Sequence, residues 1–283
     1  MIDPLRPPRT TLGDFELILL SDGTYFADGG AMFGVVPKTL WSRRVIFDEL
    51  NRMTCGLNCL LVRTGRQNVL IETGIGPKVS AKMASFFQPQ VKLMESFAAA
   101  GVAPEEIDIV INTHLHFDHA GWNTRIENGK VVPTFTRAKY FFQQGELEHA
   151  HEQHERDRVS YLTDNYDPLV RNGQAEVYRG DRGIVPGISV RVTPGHTRDH
   201  QIVVLESAGK KACYIGDTVP TSAHVDPAWV MAYDLYPLDT IASRRRIYAE
   251  AVREEWLIIF THDPVVPWAR IREVDGKFRP QAA

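Results

Sequence analysis

The chain has 283 residues, 43% of them hydrophobic and 24% charged, and 32 Lys and Arg against 35 Asp and Glu leave a formal net charge of -3. That length suits one large domain or two small ones with a substantial core. The charge balance gives no basic face for nucleic acid, and no apolar run approaches the roughly 20 residues that a bilayer demands, so neither partner is expected.

In chain order, Phe15–Leu20, Gly56–Arg63 and Asn68–Ile71 read as successive strands, broken at Thr64-Gly65 and Thr73-Gly74. Pro77 opens a helical region that runs to Ala100 and stops at Gly101. Pro104–Glu106 reads as a helical turn before the buried strand Ile107–Asn112. A strand follows at Thr134–Phe142, and the polar stretch Gln144–Arg158 is helical in composition. Gly187–Val192, Gln201–Leu205 and Lys211–Ile215 predict three more strands. Pro237–Trp256 predicts a long helix in which Arg244-Arg245-Arg246 form a solvated face. Leu257–Phe260 is a further strand, and Asp275-Gly276 turns a hairpin within Trp268–Phe278. Two batches of strands, each followed by helices, predict two packed sheets with helices outside. The expectation is a single α/β domain over 1–283 with a helical insertion at about 144–174.

The N-terminal Met1-Ile2-Asp3-Pro4 lacks the apolar core of a secretory signal. Cys55 and Cys59 lie on one predicted strand about 13 Å apart, too far to bridge or to share a metal. With Cys213 they read as buried small hydrophobes in a protein of the reducing cytoplasm.

Ten histidines carry the functional signal. His114, His116, Asp118 and His119 crowd into six residues directly after strand 107–112. Imidazoles and a carboxylate at this density suit a borderline-soft divalent metal, above all zinc, because side chains of this kind rarely gather without a cation to offset their desolvation. One local cluster cannot complete two coordination spheres, and later strand ends supply more ligands. His196 follows strand 187–192, Asp217 follows strand 211–215, and His262 follows strand 257–260. His149, His151 and His154 lie among Glu148, Glu152, Glu155 and Arg156 and read as a solvated helix face, and His200 reads as a supporting residue.

The motif His114-x-His116-x-Asp118-His119, with His196, Asp217 and His262 downstream, resembles the metallo-β-lactamase superfamily. The resemblance implies an αββα sandwich and two divalent metal ions, zinc first. By that match His114, His116 and His196 hold one ion, Asp118, His119 and His262 hold the other, and Asp217 bridges them with a hydroxide. Thr113–Gly121 and Thr193–Gln201 are similar to the N-acyl homoserine lactonases. The implied reaction is lactone opening by the bridging hydroxide, with Asp118 as the catalytic group that passes a proton to the leaving alkoxide.

His224–Pro237 resembles instead the organophosphate hydrolases of the methyl parathion type, which makes phosphotriester or aryl-ester hydrolysis the first alternative. A mononuclear iron persulfide dioxygenase and a non-catalytic metal-binding module are readings of other classes. Some lactonases carry a tyrosine three residues after the bridging Asp; here that position is Pro220, and His224, Tyr233 and Tyr236 are the candidates to assist the substrate in its place. Glu72 stands where the superfamily usually has Asp and is expected to orient a ligand histidine. Phe33, Phe117 and Trp122 are the foremost candidates for an apolar substrate pocket, followed by Val35, Val36 and Trp41. The substrate is a small neutral ester or lactone, and the oligomeric state is left open, with a homodimer among the options.

Overall fold

A computed structural model describes all residues 1–283. The first sheet takes β1 (Arg9–Leu12), β2 (Phe15–Asp28), β3 (Arg52–Arg63), β4 (Asn68–Ile71) and β5 (Ile109–Ile111). A separate hairpin of β6 (Thr124–Glu127) and β7 (Lys130–Pro133) follows, and β8 (Lys139–Gln143) and β9 (Ala175–Tyr178) complete the first sheet, in the order β1-β2-β3-β4-β5-β8-β9. The second sheet contains β10 (Arg182–Val185), β11 (Ile188–Val192), β12 (Gln201–Ser207), β13 (Lys210–Tyr214), β14 (Leu257–Ile259), β15 (Trp268–Val274) and β16 (Lys277–Ala282), ordered as they occur in the chain.

Side-chain alternation explains why the central strands are apolar throughout. Leu17 and Leu19 of β2 point into the space between the sheets, where they meet Val203 and Leu205 of β12, Tyr214 of β13 and Ile259 of β14. Ile18 and Leu20 face the other way and pack with Leu93 and Phe97 of a helix (Leu93–Ala100) outside the first sheet. On the second sheet Ile202, Val204, Cys213 and Ile258 face outward against Ile247, Tyr248 and Ala251 of the helix Pro237–Arg253. Strands covered on both faces lose the polar alternation of a half-exposed sheet. The result is the expected αββα sandwich. No helix is long and apolar enough to cross a membrane.

Several boundaries differ from the sequence expectation for identifiable reasons. The region 77–100 is two helices, Ala81–Phe87 and Leu93–Ala100, because Pro89 cannot continue the first and Gln88 adopts a left-handed conformation with φ 45°. Asp22 starts the second helix by accepting from the backbone N–H groups of Lys92 and Leu93. The helix at 144 ends at Glu152, where Gln153 turns left-handed with φ 50°, and His149 and His151 bond Asp157 and Asp167 further along, each at 2.7 Å. The segment 144–174 forms the crossover between the parallel strands β8 and β9, and it buries Leu147, Tyr161, Tyr166 and Leu169 in the outer core of the first sheet. The expected strand 134–142 begins only at Lys139, residues 134–138 forming a turn, and ahead of it stands a hairpin β6–β7 whose turn Asn128-Gly129 has φ values of 50° and 74°. All three cysteines are free and buried.

The reading of Arg244 as part of a solvated face is corrected. Its guanidinium is buried, with 0% exposure, and donates to the carbonyl oxygens of Thr218, His224, Asp226 and Trp229. It is the hub of the loop that follows Asp217, whereas Arg245 is exposed. Arg244→Ala is therefore expected to lower the unfolding free energy by roughly 3 kcal/mol or more, since several buried carbonyls lose their donor together. Arg245→Ala should stay within about 0.5 kcal/mol, and urea midpoints of the two variants check the contrast.

Candidate metal centre

The seven ligand-type residues come from four loops at strand ends, and the structure brings all of them into one cleft. Loop 112–121 follows β5, loop 193–200 joins β11 to β12, loop 215–220 follows β13 and loop 260–263 follows β14. Two glycines make the tight approach feasible. Gly195 has φ 150° and a Cβ there would lie 2.3 Å from Thr240 Oγ1, while Gly216 has φ 53° and a Cβ would lie 2.7 Å from His200 Nε2.

Their potential ligand atoms fall into overlapping groups, each spanning no more than 4.8 Å: His114, His116 and His196; Asp118, His119 and His262; and His114, His119 and Asp217. His116 Nδ1 lies 3.1 Å from His196 Nε2, and His119 Nε2 lies 3.1 Å from His262 Nε2. Asp217 stands between the two sides. Its Oδ2 is 3.3 Å from His196 Nε2, and its Oδ1 is 3.2 Å from His262 Nε2 and 3.6 Å from His119 Nε2.

Hydrogen bonds from outside fix which ring nitrogens face inward. His196 Nδ1 donates to Asp234 Oδ1 at 3.0 Å, and His262 Nδ1 donates to the Gly56 carbonyl at 2.9 Å. Both rings therefore carry a proton on Nδ1 and turn Nε2 toward the cluster. His114 Nδ1 rests 2.9 Å from Thr113 Oγ1, and its Nε2 has no hydrogen-bond partner although buried, as has Asp217 Oδ1. Glu72, with φ 65°, accepts from the Thr113 N–H at 2.6 Å and sets its other oxygen 3.5 Å from His119 Nδ1, so it supports both the motif backbone and a histidine. His200 accepts the Asp217 N–H at 3.1 Å from below.

The electrostatics match the geometry. Burial and the neighbouring imidazoles hold His114 and His116 well below the usual histidine range, so both are neutral. Burial would raise Asp217, but the imidazoles of His262, His119 and His196 overrule it and hold the carboxyl ionised. Burial opposes a charge on His119 too, yet Asp217, Asp118 and Glu72 together hold it well above its usual range. Imidazole nitrogens 3.1 Å apart, buried ring and carboxylate atoms without a hydrogen-bond partner, and three carboxylates converging on His119 form an electronegative pocket. This donor set fits divalent metal ions.

Above the cluster opens a cavity of about 360 Å³. His116, Asp118, His196, Asp217 and His262 form its polar part, and Met32, Met83, Phe87, Phe117, Met231 and Leu235 give it apolar walls. Phe117 lines this cavity, as does Tyr233. Other pocket expectations are corrected. Phe33 is fully buried, stacked on Trp41 at 5.2 Å and on His224 at 4.3 Å between ring centroids, so Phe33 and Trp41 are core. Trp122 turns away to the outer core of the first sheet and donates to Asp22 Oδ1 at 3.1 Å. Val35 and Val36 also lie outside the lining, Val35 being 89% exposed. His224 is buried with both ring nitrogens engaged, by Thr221 Oγ1 and the Met32 carbonyl, and cannot reach a substrate. Tyr236 faces a neighbouring charged depression, where its hydroxyl accepts from Arg198.

The sequence reading missed several residues that organise the site. Glu146 ties two metal-binding loops together, accepting from Leu115 N–H at 3.1 Å and from the Thr197 hydroxyl at 2.6 Å. Asp234 and Tyr25, whose hydroxyl donates to Asp118 Oδ2 at 3.0 Å, also went unnoticed.

The family described as the metallo-beta-lactamase superfamily matches residues 53–262. This span contains the entire cluster, and the chain belongs to that superfamily as a metal-dependent hydrolase. An N-acyl homoserine lactonase from Bacillus cereus is 24% identical over 220 residues, 72% of this chain and 80% of the relative. A probable metal-dependent hydrolase from Staphylococcus aureus superposes with a TM-score of 0.88 at 31% identity, covering 97% of this chain and 99% of that one. AidC, a dizinc quorum-quenching lactonase, superposes with a TM-score of 0.82 at 18% identity over 99% of both chains. Within the superfamily the chain thus resembles the lactonase branch.

His224 also carries a pH prediction. Burial and the Arg244 guanidinium depress it to about 3, while in the unfolded chain it titrates near 6.5. The unfolded state then binds the extra proton between these values, so stability is full above about pH 6.5 and falls as pH drops toward 3. His224→Gln, which keeps a donor for the Met32 carbonyl, is expected to flatten this acid limb in urea unfolding measured across pH 4–7.

Proposed function

We propose that the chain is a dinuclear zinc hydrolase that opens lactones, with N-acyl homoserine lactones as its substrate class. One observation carries this reading: the carboxylate of Asp217 lies between two three-residue ligand groups, within 3.3 Å of His196 on one side and His262 on the other, at the polar end of an apolar cavity. His114, His116 and His196 would hold one ion and Asp118, His119 and His262 the other, with Asp217 common to both. Bound divalent ions supply a Lewis acid and a hydrolytic nucleophile at neutral pH.

The protein's own groups supply binding, orientation and proton transfer. The methionine and aromatic walls take an acyl chain and exclude water from the polar end, which strengthens every electrostatic interaction there. Asp118 Oδ2 is committed to Tyr25 and faces His119 and His262, so Oδ1 is the oxygen able to take a proton and deliver it to the departing alkoxide. Tyr233, half-exposed in the same wall and pushed up to about 12 by burial, stays protonated and offers a donor to the substrate.

Aryl-ester or phosphotriester hydrolysis is the second reading, favoured by Phe87 and Phe117 in the wall, whose rings lie 5.3 Å apart and could flank an aryl group. The second ligand group of Asp118, His119 and His262 argues against a mononuclear iron dioxygenase. Three free cysteines support a cytoplasmic setting.

Parallel assays of zinc-loaded protein on an N-acyl homoserine lactone and an aryl phosphotriester separate the readings. Preferential opening of the lactone is expected; an intact lactone with turnover of the phosphotriester rejects the proposal. Asp118→Asn should weaken one of the two zinc-binding steps and, with zinc saturating, lose about 10²- to 10⁴-fold in kcat.

A further inference from the structure

Asp118 differs from the other members of the cluster in how it is held. His196 and His262 are fixed by Asp234 and by the Gly56 carbonyl, neither of which lines the cavity. The carboxylate of Asp118 has a single hydrogen bond, from Tyr25, and Tyr25 is itself part of the cavity wall. Tyr25 lies on β2 opposite Cys55 of β3, with its ring edge-on to His262 at 5.6 Å and to Phe87 at 6.0 Å between centroids. These contacts fix the phenol in a site only 6% exposed. Burial, together with the charge of Asp118, raises the phenol far above its ordinary range and keeps it a donor.

The terminal torsion of an aspartate is soft, so one hydrogen bond decides which oxygen faces which neighbour. Oδ2, the oxygen that Tyr25 holds, is also the one 3.6 Å from His262 Nε2 and 3.8 Å from His119 Nε2. Resting on the lactonase reading above, we propose that Tyr25 is a positioning residue for Asp118: its hydroxyl pins Oδ2 toward the His119–His262 side and reserves Oδ1 for the substrate. Tyr25 thereby couples the second ion position to the proton-transfer group from a strand more than ninety residues away from the motif.

Tyr25→Phe tests this, because it removes one oxygen and retains the ring contacts with Phe87 and His262. Zinc titration of the metal-free protein against a chromophoric chelator should show one of two binding steps weakened roughly tenfold and the other unchanged. With zinc saturating, lactone kcat should fall about 10- to 100-fold while KM stays within about twofold. In an Asp118→Asn background, Tyr25→Phe should change kcat no further, since the two residues act as one unit. Tyr248→Phe is the control: it deletes a buried hydroxyl that has no partner, and should alter neither readout. Superimposable zinc titrations, an unchanged kcat, or additive losses in the double variant would each overturn the assignment. A wild-type protein that binds two zinc ions and opens no lactone overturns the substrate reading instead, and the titration alone then decides the role of Tyr25.

Discussion

The structure depends on the burial of five imidazoles and two carboxylates in one cleft, none of them more than 8% exposed. Dehydrating so many polar groups is costly unless each is paired or shares a cation. The surrounding fold satisfies the outward-facing atoms of several members and leaves an inward-facing set of acceptors. Those inward-facing atoms lie 3.1–3.3 Å from one another, and their donor types suit divalent ions shared among them.

The two sheets exist to hold that cleft. Their apolar strands lock together across Leu17, Leu19, Val203, Leu205 and Tyr214, and the loops that carry ligands leave from the ends of β5, β11, β13 and β14. Buried polar residues then tie the loops to one another: Glu146 joins the motif loop to the His196 loop, Glu72 joins β4 to the motif, and Arg244 gathers the carbonyls that follow Asp217. A rigid support of this kind keeps a reactive constellation within small tolerances. The same packing leaves the methionine and aromatic wall over the polar floor, so recognition and chemistry share one cavity.

Much of this was legible in the sequence because the signals are local. His114 to His119 sit in six consecutive residues, and His196, Asp217 and His262 each follow an apolar run. The two-layer arrangement follows from the batches of strands, and Asp275-Gly276 marked its hairpin correctly, with φ values of 51° and 70°. Asn128-Gly129 offered an equal turn signal that was passed over. Supporting residues were illegible for a different reason. Tyr25 meets Asp118 across 93 positions, and Asp234 meets His196 across 38. No periodicity or spacing marks such a pair. Phe33, Trp122 and His224 misled because hydrophobic or titratable character alone does not say which side of a wall a residue faces.

The central claim is that one shared carboxylate joins two ion positions in this cleft. Its most direct test is diffraction from zinc-loaded crystals, with anomalous data collected on either side of the zinc edge. The account predicts two anomalous peaks, one ligated by His114, His116 and His196, the other by Asp118, His119 and His262, with Asp217 touching both. A single peak, or a second peak that lacks Asp217, would contradict it.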